Sequence, residues 1–239
     1  MTTLIKILVA VSISILCCSC NMAFNGIRGE GEVTRKEKII NENFHTIKSS
    51  RGLDVILTKN DTGKIIVEAN ENLHAHIKVY VKEETLHITS DMNIYQADEK
   101  KVYVSYNKIN KITATSGAEI TSKEPVVQKD LAVSATSGAD IKLRIKAENL
   151  TSSVTSGAIM DLSGKVNNHK AKATSGANIR ADELLSLISE AKATSGAHIR
   201  IHAKNKFTGK ATSGADVVYY GDPEKVSETD NSGGNVRRH

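Results

Sequence analysis

From about residue 113 to the C-terminus, apolar and polar residues alternate in a pattern that restarts roughly every twenty residues. The tetrapeptide Thr-Ser-Gly-Ala begins at Thr115, Thr136, Thr155, Thr174, Thr194 and Thr212, and a degenerate copy runs Asn231-Ser232-Gly233-Gly234. The residue before each Thr is Ala114, Ala135, Val154, Ala173, Ala193 or Ala211, and the fifth after it is Ile120, Ile141, Met160, Ile179, Ile199 or Val217. Both positions are always apolar. Residues at the intervening positions are mostly polar: Thr113, Ser134, Ser153, Lys172, Lys192 and Lys210 stand two before Thr. A period of two predicts strands with one buried face, and a recurrence near twenty residues is what a solenoid leaves in sequence. Each copy is one coil of two or three short strands. The fold class predicted is all-β, a single-stranded parallel β-helix with coils of about 19–20 residues.

Carried unbroken through the motif, the alternation points Ser116, Ser137, Ser156, Ser175, Ser195 and Ser213 inward beside Ala118, Ala139, Ala158, Ala177, Ala197 and Ala215, leaving the Thr hydroxyls as an outer ladder. In a parallel stack each residue lies about 4.8 Å from its counterpart, so small inward residues stack without strain and imply a thin coil. Gly117, Gly138, Gly157, Gly176, Gly196 and Gly214 then serve either a positive-φ corner or a close approach of two walls.

Residues 21–112 lack the exact motif and read as early coils and a cap, leading into the repeats of 113–239 as one continuous domain over 35–239. Ser50-Arg51-Gly52-Leu53-Asp54-Val55 is a worn copy of the motif, and alternating segments at Lys64–Ala69, Ala75–Val81, Thr85–Thr89 and Lys101–Tyr106 predict strands. Asp182–Glu190 has helical spacing at Leu184, Leu187 and Ile188, but the even step across it favours a strand.

Composition adds an address and removes chemistry. Lys6 followed by the apolar run Ile7–Leu16 is too short for a permanent membrane helix and predicts a signal peptide over residues 1–20. It ends in Cys17-Cys18-Ser19-Cys20, similar to a lipobox, which makes Cys20 the expected lipidation site and Cys18 the alternative. The expected location is therefore outside the cytoplasm: an outer-membrane or periplasmic lipoprotein, or one on the cell surface, with the membrane as partner through its anchor. All three Cys lie in this segment, leaving no thiol beyond residue 20 for a disulfide, a zinc cage or a nucleophile. With 32 basic against 27 acidic residues, the excess of positive charge is mild and interspersed, which argues against a nucleic-acid partner.

The lipoprotein-like start, the recurrent Ser-Gly-Ala-x-Ile motif, and the closing Tyr219-Tyr220-Gly221-Asp222-Pro223 with Ser232-Gly233-Gly234 together resemble the putative auto-transporter adhesin family with the head GIN domain, common in Bacteroidetes. The resemblance spans residues 35–239. It implies a right-handed parallel β-helix in an exported, often lipid-anchored protein, and it supplies no catalytic residues. Gly234 departs from the motif and bears on how the last coil closes.

Candidate chemistry is sparse. Six equivalent serines without a Gly-x-Ser-x-Gly elbow argue for structure and against a nucleophile. His74 and His76 share a strand face at metal-ligand spacing, yet Lys78 and Lys82 lie beside them and no carboxylate does, so a solvated edge is the preferred reading. His198 and His202 read as surface residues. Asp140, Asp161 and Asp216 fall on separate rungs, and the even pitch leaves no long loops for a polysaccharide lyase or hydrolase site. No cofactor or metal is expected. Lys172, Lys192 and Lys210 form one outward column and Arg180 and Arg200 another, with Lys142 two rungs earlier. Like charges about 4.8 Å apart repel, so the arrangement needs acidic neighbours, solvent or an anionic partner. A solubilising face that discourages sheet-to-sheet association is the preferred reading, and these six residues are the candidate face for an anionic glycan or another anionic envelope component. The function expected is a non-catalytic, adhesin-like binding module. A structural envelope spacer is the next reading, and a carbohydrate-active enzyme the third.

Overall fold

Two successive residues in left-handed conformation set each corner of the chain. In the computed structural model, which describes residues 26–60 and 62–239, the six motif serines have φ between 53° and 56° and the glycines after them φ between 67° and 72°. Positive φ at both central positions is the type I′ turn, and the N–H of Ala139 donates to the Thr136 carbonyl across it at 3.3 Å. The corner glycine is required by its φ: a Cβ added at Gly117 or any of its equivalents would meet nothing within 4 Å. No second wall approaches.

This turn corrects the inward placement of the serines. Ser116, Ser137, Ser156, Ser175, Ser195 and Ser213 are all exposed at the corner, while the Ala residues on either side of each corner point inward as expected. Positive φ at Ser rotates its side chain out of the alternation, and Gly restores it for the Ala that follows. The Ser hydroxyl then lies beside that of its own Thr, 3.4 Å apart at Thr136 and Ser137.

The corners stack. From Gly52 to Gly214, each corner glycine N–H donates to the carbonyl of the corner serine one rung on, at 3.0–3.2 Å. The worn copy takes part, with φ of 60° at Arg51 and 68° at Gly52. Strands that enter the corner form one parallel ladder, through Lys111–Thr115, Val126–Thr136, the second halves of Asp140–Thr155 and Ile159–Thr174, then Leu184–Thr194, Lys206–Thr212 and Lys225–Asn231. Those that leave it form a second, through Glu119–Ser122, the first halves of Asp140–Thr155 and Ile159–Thr174, then Asn178–Ala181, His198–His202, Asp216–Tyr220 and Asn235–Arg238. The result is a β-solenoid of about seven turns. Leu184–Thr194 is strand throughout, without the helix its spacing allowed.

The core is a wedge between these two sheets. Its apex is lined by paired alanines around each motif corner, with Val154 in place of one; Ile120, Ile141, Met160, Ile179 and Ile199 follow, and farther out Leu131, Leu150 and Phe207 face Leu143, Leu162 and Tyr219. The Phe207 and Tyr219 rings stack at 4.2 Å between sheets. Small residues are needed only where the sheets converge, so the expected thinness holds at the apex and fails beyond it.

Stack order departs from chain order at the N-terminal end. Thr46–Ser49 and Asp54–Lys59 lie between the first motif rung and a rung made by Thr85–Ser90 and Lys100–Tyr106, which comes later in sequence. Antiparallel strands then cover that outer rung: Ile77–Lys82 on one sheet, Lys64–Asn70 and Val33–Ile39 on the other. At the opposite end Val226, Glu228 and Asp230 stack on the inward residues Phe207, Gly209 and Ala211 but stay exposed, since no rung among the described residues covers them. The last corner does close. Gly214 N–H donates to the Ser232 carbonyl at 3.2 Å, and a Cβ on Gly234 would strike the Ala211 carbonyl at 2.5 Å, which explains the departure from Ala.

One interior column contains an ionisable group. His169 stands where the preceding rung has Leu150 and the next Ser189. It is 1% exposed; Nε2 lies 2.8 Å from the Ser152 hydroxyl, and Nδ1 has no partner. Burial pushes its pKa down to about 3, so the folded protein holds it neutral.

Two predictions follow from this packing. Ala177→Leu should overfill the apex and cost about 1–3 kcal/mol, whereas Ser175→Leu, which stays outside, should cost only on the order of 1 kcal/mol for a bulky side chain at positive φ; denaturant titration of both variants ranks them. Unfolded His169 takes up a proton below its ordinary 6.5, the folded one only near 3, so its contribution to stability is complete above pH 6.5 and lost as pH falls. At pH 5 the loss should be roughly 2 kcal/mol. His169→Leu should lack that part of the acid sensitivity when stability is measured from pH 7 to pH 4.

Candidate binding surface

Because inward residues of the two sheets face each other across the core, their outward residues point to opposite sides of the molecule. On the entering sheet Lys172, Lys192 and Lys210 stack in register on adjacent rungs, all exposed. Lys170, Lys206 and Lys225 lie exposed on the same surface, with Lys206 directly beside Lys225. From the rung of Lys170 onward this outer surface carries six lysines and one carboxylate, Glu190, whose partner is Lys170 at 3.6 Å. Among the described residues, Lys172, Lys192 and Lys210 form no ion pair. Three like charges at about 4.8 Å therefore depend on solvent or an external anion for compensation.

The leaving sheet is different, and it corrects the single basic face expected of six residues. Lys142, Arg180 and Arg200 lie there, across the core from the lysine column. Arg200 stacks beside Arg180, but Asp161 sits between Lys142 and Arg180 and accepts the Arg180 guanidinium through both carboxylate oxygens. That hydrogen bond holds the guanidinium pKa above its usual value against the opposing effect of burial. A shallow concavity of about 590 Å³ on this side is shared by Lys142, Arg144, Arg180 and Arg200 with Asp161, Asp182 and Glu183. Its charge is mixed, and within it Arg180 is paired with Asp161.

Between the sheets runs the corner ridge, where each rung exposes a Ser hydroxyl beside a Thr hydroxyl, and Thr212 Oγ1 donates to Thr194 Oγ1 at 3.1 Å. The column two residues before Thr is uncharged on the first three motif rungs, Thr113, Ser134 and Ser153, and lysine on the next three. Lys170, Lys206 and Lys225 escaped the sequence reading. They lie farther from the motif, beyond the stretch in which the copies align without gaps.

The histidines lead to no metal site among the described residues. His74 belongs to the short 3-10 turn Glu71–Ala75 and contacts the Thr34 hydroxyl at 3.0 Å, while His76 pairs with Asp91 at 2.8 Å, so the shared strand face expected of them does not form. His198 is exposed, whereas His202 is half-buried with an unpartnered Nδ1. Asp140 and Asp216 share a column but lie four rungs apart, with Ile159, Asn178 and His198 between them, too far to act together on one bond. Ser152 and His169 do make a serine–histidine contact, but at 0% and 1% exposure they are sealed inside the wedge. Cys18 and Cys20 lie outside the described residues.

Residues 43–223 match the family model described as putative auto-transporter adhesin, head GIN domain. The chain belongs to that family. A crystal structure of a putative adhesin from Bacteroides fragilis superposes with a TM-score of 0.82 at 16% identity, covering 90% of this chain and 100% of that one. A putative adhesin from Parabacteroides merdae gives 0.74 at 16%, covering 90% and 99%. A protein from Parabacteroides distasonis described as a putative lipid binding protein gives 0.73 at 17%, covering 89% and 99%. At such identities the shared property is the fold. Comparison with curated proteins returns no match. No helix among the described residues is long and apolar enough to cross a membrane.

Proposed function

We propose that this family member is an exported, non-catalytic, adhesin-like module, held at the cell envelope by lipid on Cys20, whose lysine sheet engages an anionic component of the envelope. The observation that carries the reading is the lysine column: from the rung of Lys170 onward the entering sheet has six lysines against a single carboxylate, and Lys172, Lys192 and Lys210 have no ion-pair partner among the described residues, whereas Arg180 on the other sheet is paired with Asp161. Charge left without an internal partner is free for an external one, and it supports capture that weakens with salt. The apolar run before Cys20 supports export and anchoring, and the family description supports the adhesin-like role. An envelope spacer is the second reading, favoured by the unbroken corner ladder from Gly52 to Gly214.

The protein should bind acidic polysaccharides or anionic vesicles in low salt and ignore neutral ones, and the affinity should fall steeply as salt is raised. Replacing Lys170, Lys172, Lys192, Lys206, Lys210 and Lys225 together by Gln should abolish this binding while leaving thermal unfolding nearly unchanged, since all six are exposed. Retention by the sextuple variant would reject the lysine sheet, and failure to bind any anion would leave the spacer reading. Cys20→Ser should release the protein from the membrane fraction, as fractionation of the producing cells would reveal.

A further inference from the structure

Three successive rungs carry the same hexapeptide, Lys-Ala-Thr-Ser-Gly-Ala, beginning at Lys172, Lys192 and Lys210. With Ala inward, each rung presents outward an ammonium, a Thr hydroxyl and, at the corner, a Ser hydroxyl. The three copies are in strict register, Lys on Lys and Thr on Thr. Each Thr hydroxyl lies 3.4–3.5 Å from the Ser hydroxyl of its own corner at Thr174 and Thr194.

We infer that this grid binds a linear polyuronate lying along the solenoid axis, one carboxylate to each rung. The inference rests on the lysine sheet being the binding face and adds what it reads. The three ammonium groups form a row at the strand spacing of about 4.8 Å, and a pyranose ring linked through opposite ends is close to that length. A homopolymer with one carboxylate per ring therefore matches the row in charge density; successive rings of a straight chain are turned about its axis, and the flexible lysine stems reach to either edge of it to meet one carboxylate per rung. The hydroxyl rows beside the lysines supply donors and acceptors for ring hydroxyls and carboxylate oxygens, as a bare charge patch would not. Corner geometry already fixes the backbone of these rows, so less order has to be imposed on binding. The same column is uncharged at Thr113, Ser134 and Ser153, which limits the charged site to three rungs and hence three sugar rings. Of the exposed aliphatic residues that would favour a bilayer, Ile188 stands beside Lys206, four residues along the strand from Lys192, and Leu185 lies farther out still, so neither is within the grid.

The test compares two triple variants of equal charge. One replaces Lys172, Lys192 and Lys210 by Gln; the other replaces Lys170, Lys206 and Lys225 on the same sheet. Binding of a homopolymeric oligouronate in low salt should fall on the order of a hundredfold in the first and about threefold or less in the second. Affinity should rise with oligouronate length up to three rings and then level off. Equal losses in the two triples, or binding of dextran sulfate and anionic vesicles without binding of the uronate, would overturn the grid while leaving the lysine sheet in place. Binding of none of the three would remove both.

Discussion

Everything in this molecule is subordinate to vertical register at the corner. A tight turn with two left-handed residues lets the chain reverse in four positions, and the glycine N–H in that turn reaches the neighbouring corner's carbonyl. Repeating the same bond from Gly52 to Gly214 ties each winding to the next at one fixed height. The strands on either side then have no freedom to slip, because a shift of one residue would exchange the inward and outward sets along the whole ladder. The alanines that flank each corner follow from this constraint, as do the larger residues where the sheets diverge. The low aromatic content of the chain, with three Phe and no Trp, suits a wedge whose narrow end admits only small side chains.

Register also explains why surface chemistry comes in columns. A residue recurring in the repeat becomes a row on the molecule, so a lysine that would be unremarkable alone acquires like neighbours on two sides. The protein handles its two outer surfaces differently. On one, Asp161 stands between Lys142 and Arg180 and binds the guanidinium; on the other, Lys172, Lys192 and Lys210 follow one another with no carboxylate between them. The charge asymmetry arises at single positions in the repeat, two before Thr on one sheet and six after it on the other.

Much of this was legible in the sequence because a solenoid writes its architecture into its period. The coil length, the strands, the buried Ala and Ile columns, the worn corner at Ser50-Arg51-Gly52 and the stacking of Lys172, Lys192 and Lys210 all follow from aligning the copies. The serine orientation did not, since alternation assumes extended backbone and the turn breaks it at one residue. The placement of Arg180 opposite Lys172 depends on the direction in which each sheet faces, which periodicity leaves open. Nor could chain order reveal that residues 46–59 are overtaken in the stack by residues 85–106. His169 was hidden for a related reason: it occupies a leucine position in a column where no other rung has an ionisable group, and only burial distinguishes it from the surface histidines.

The carboxylates at the final rung set a boundary on this mode of construction. A pile of identical parallel windings offers its exposed edge as a template, and in principle a second molecule could continue the ladder without limit. Glu228 and Asp230 stand at the positions where the preceding rung has Gly209 and Ala211, so an incoming copy would trap two negative groups in an apolar seam. The costly desolvation of those groups opposes such an addition. A fold with the internal order of a fibre thereby carries, at this edge, charge that works against its becoming one.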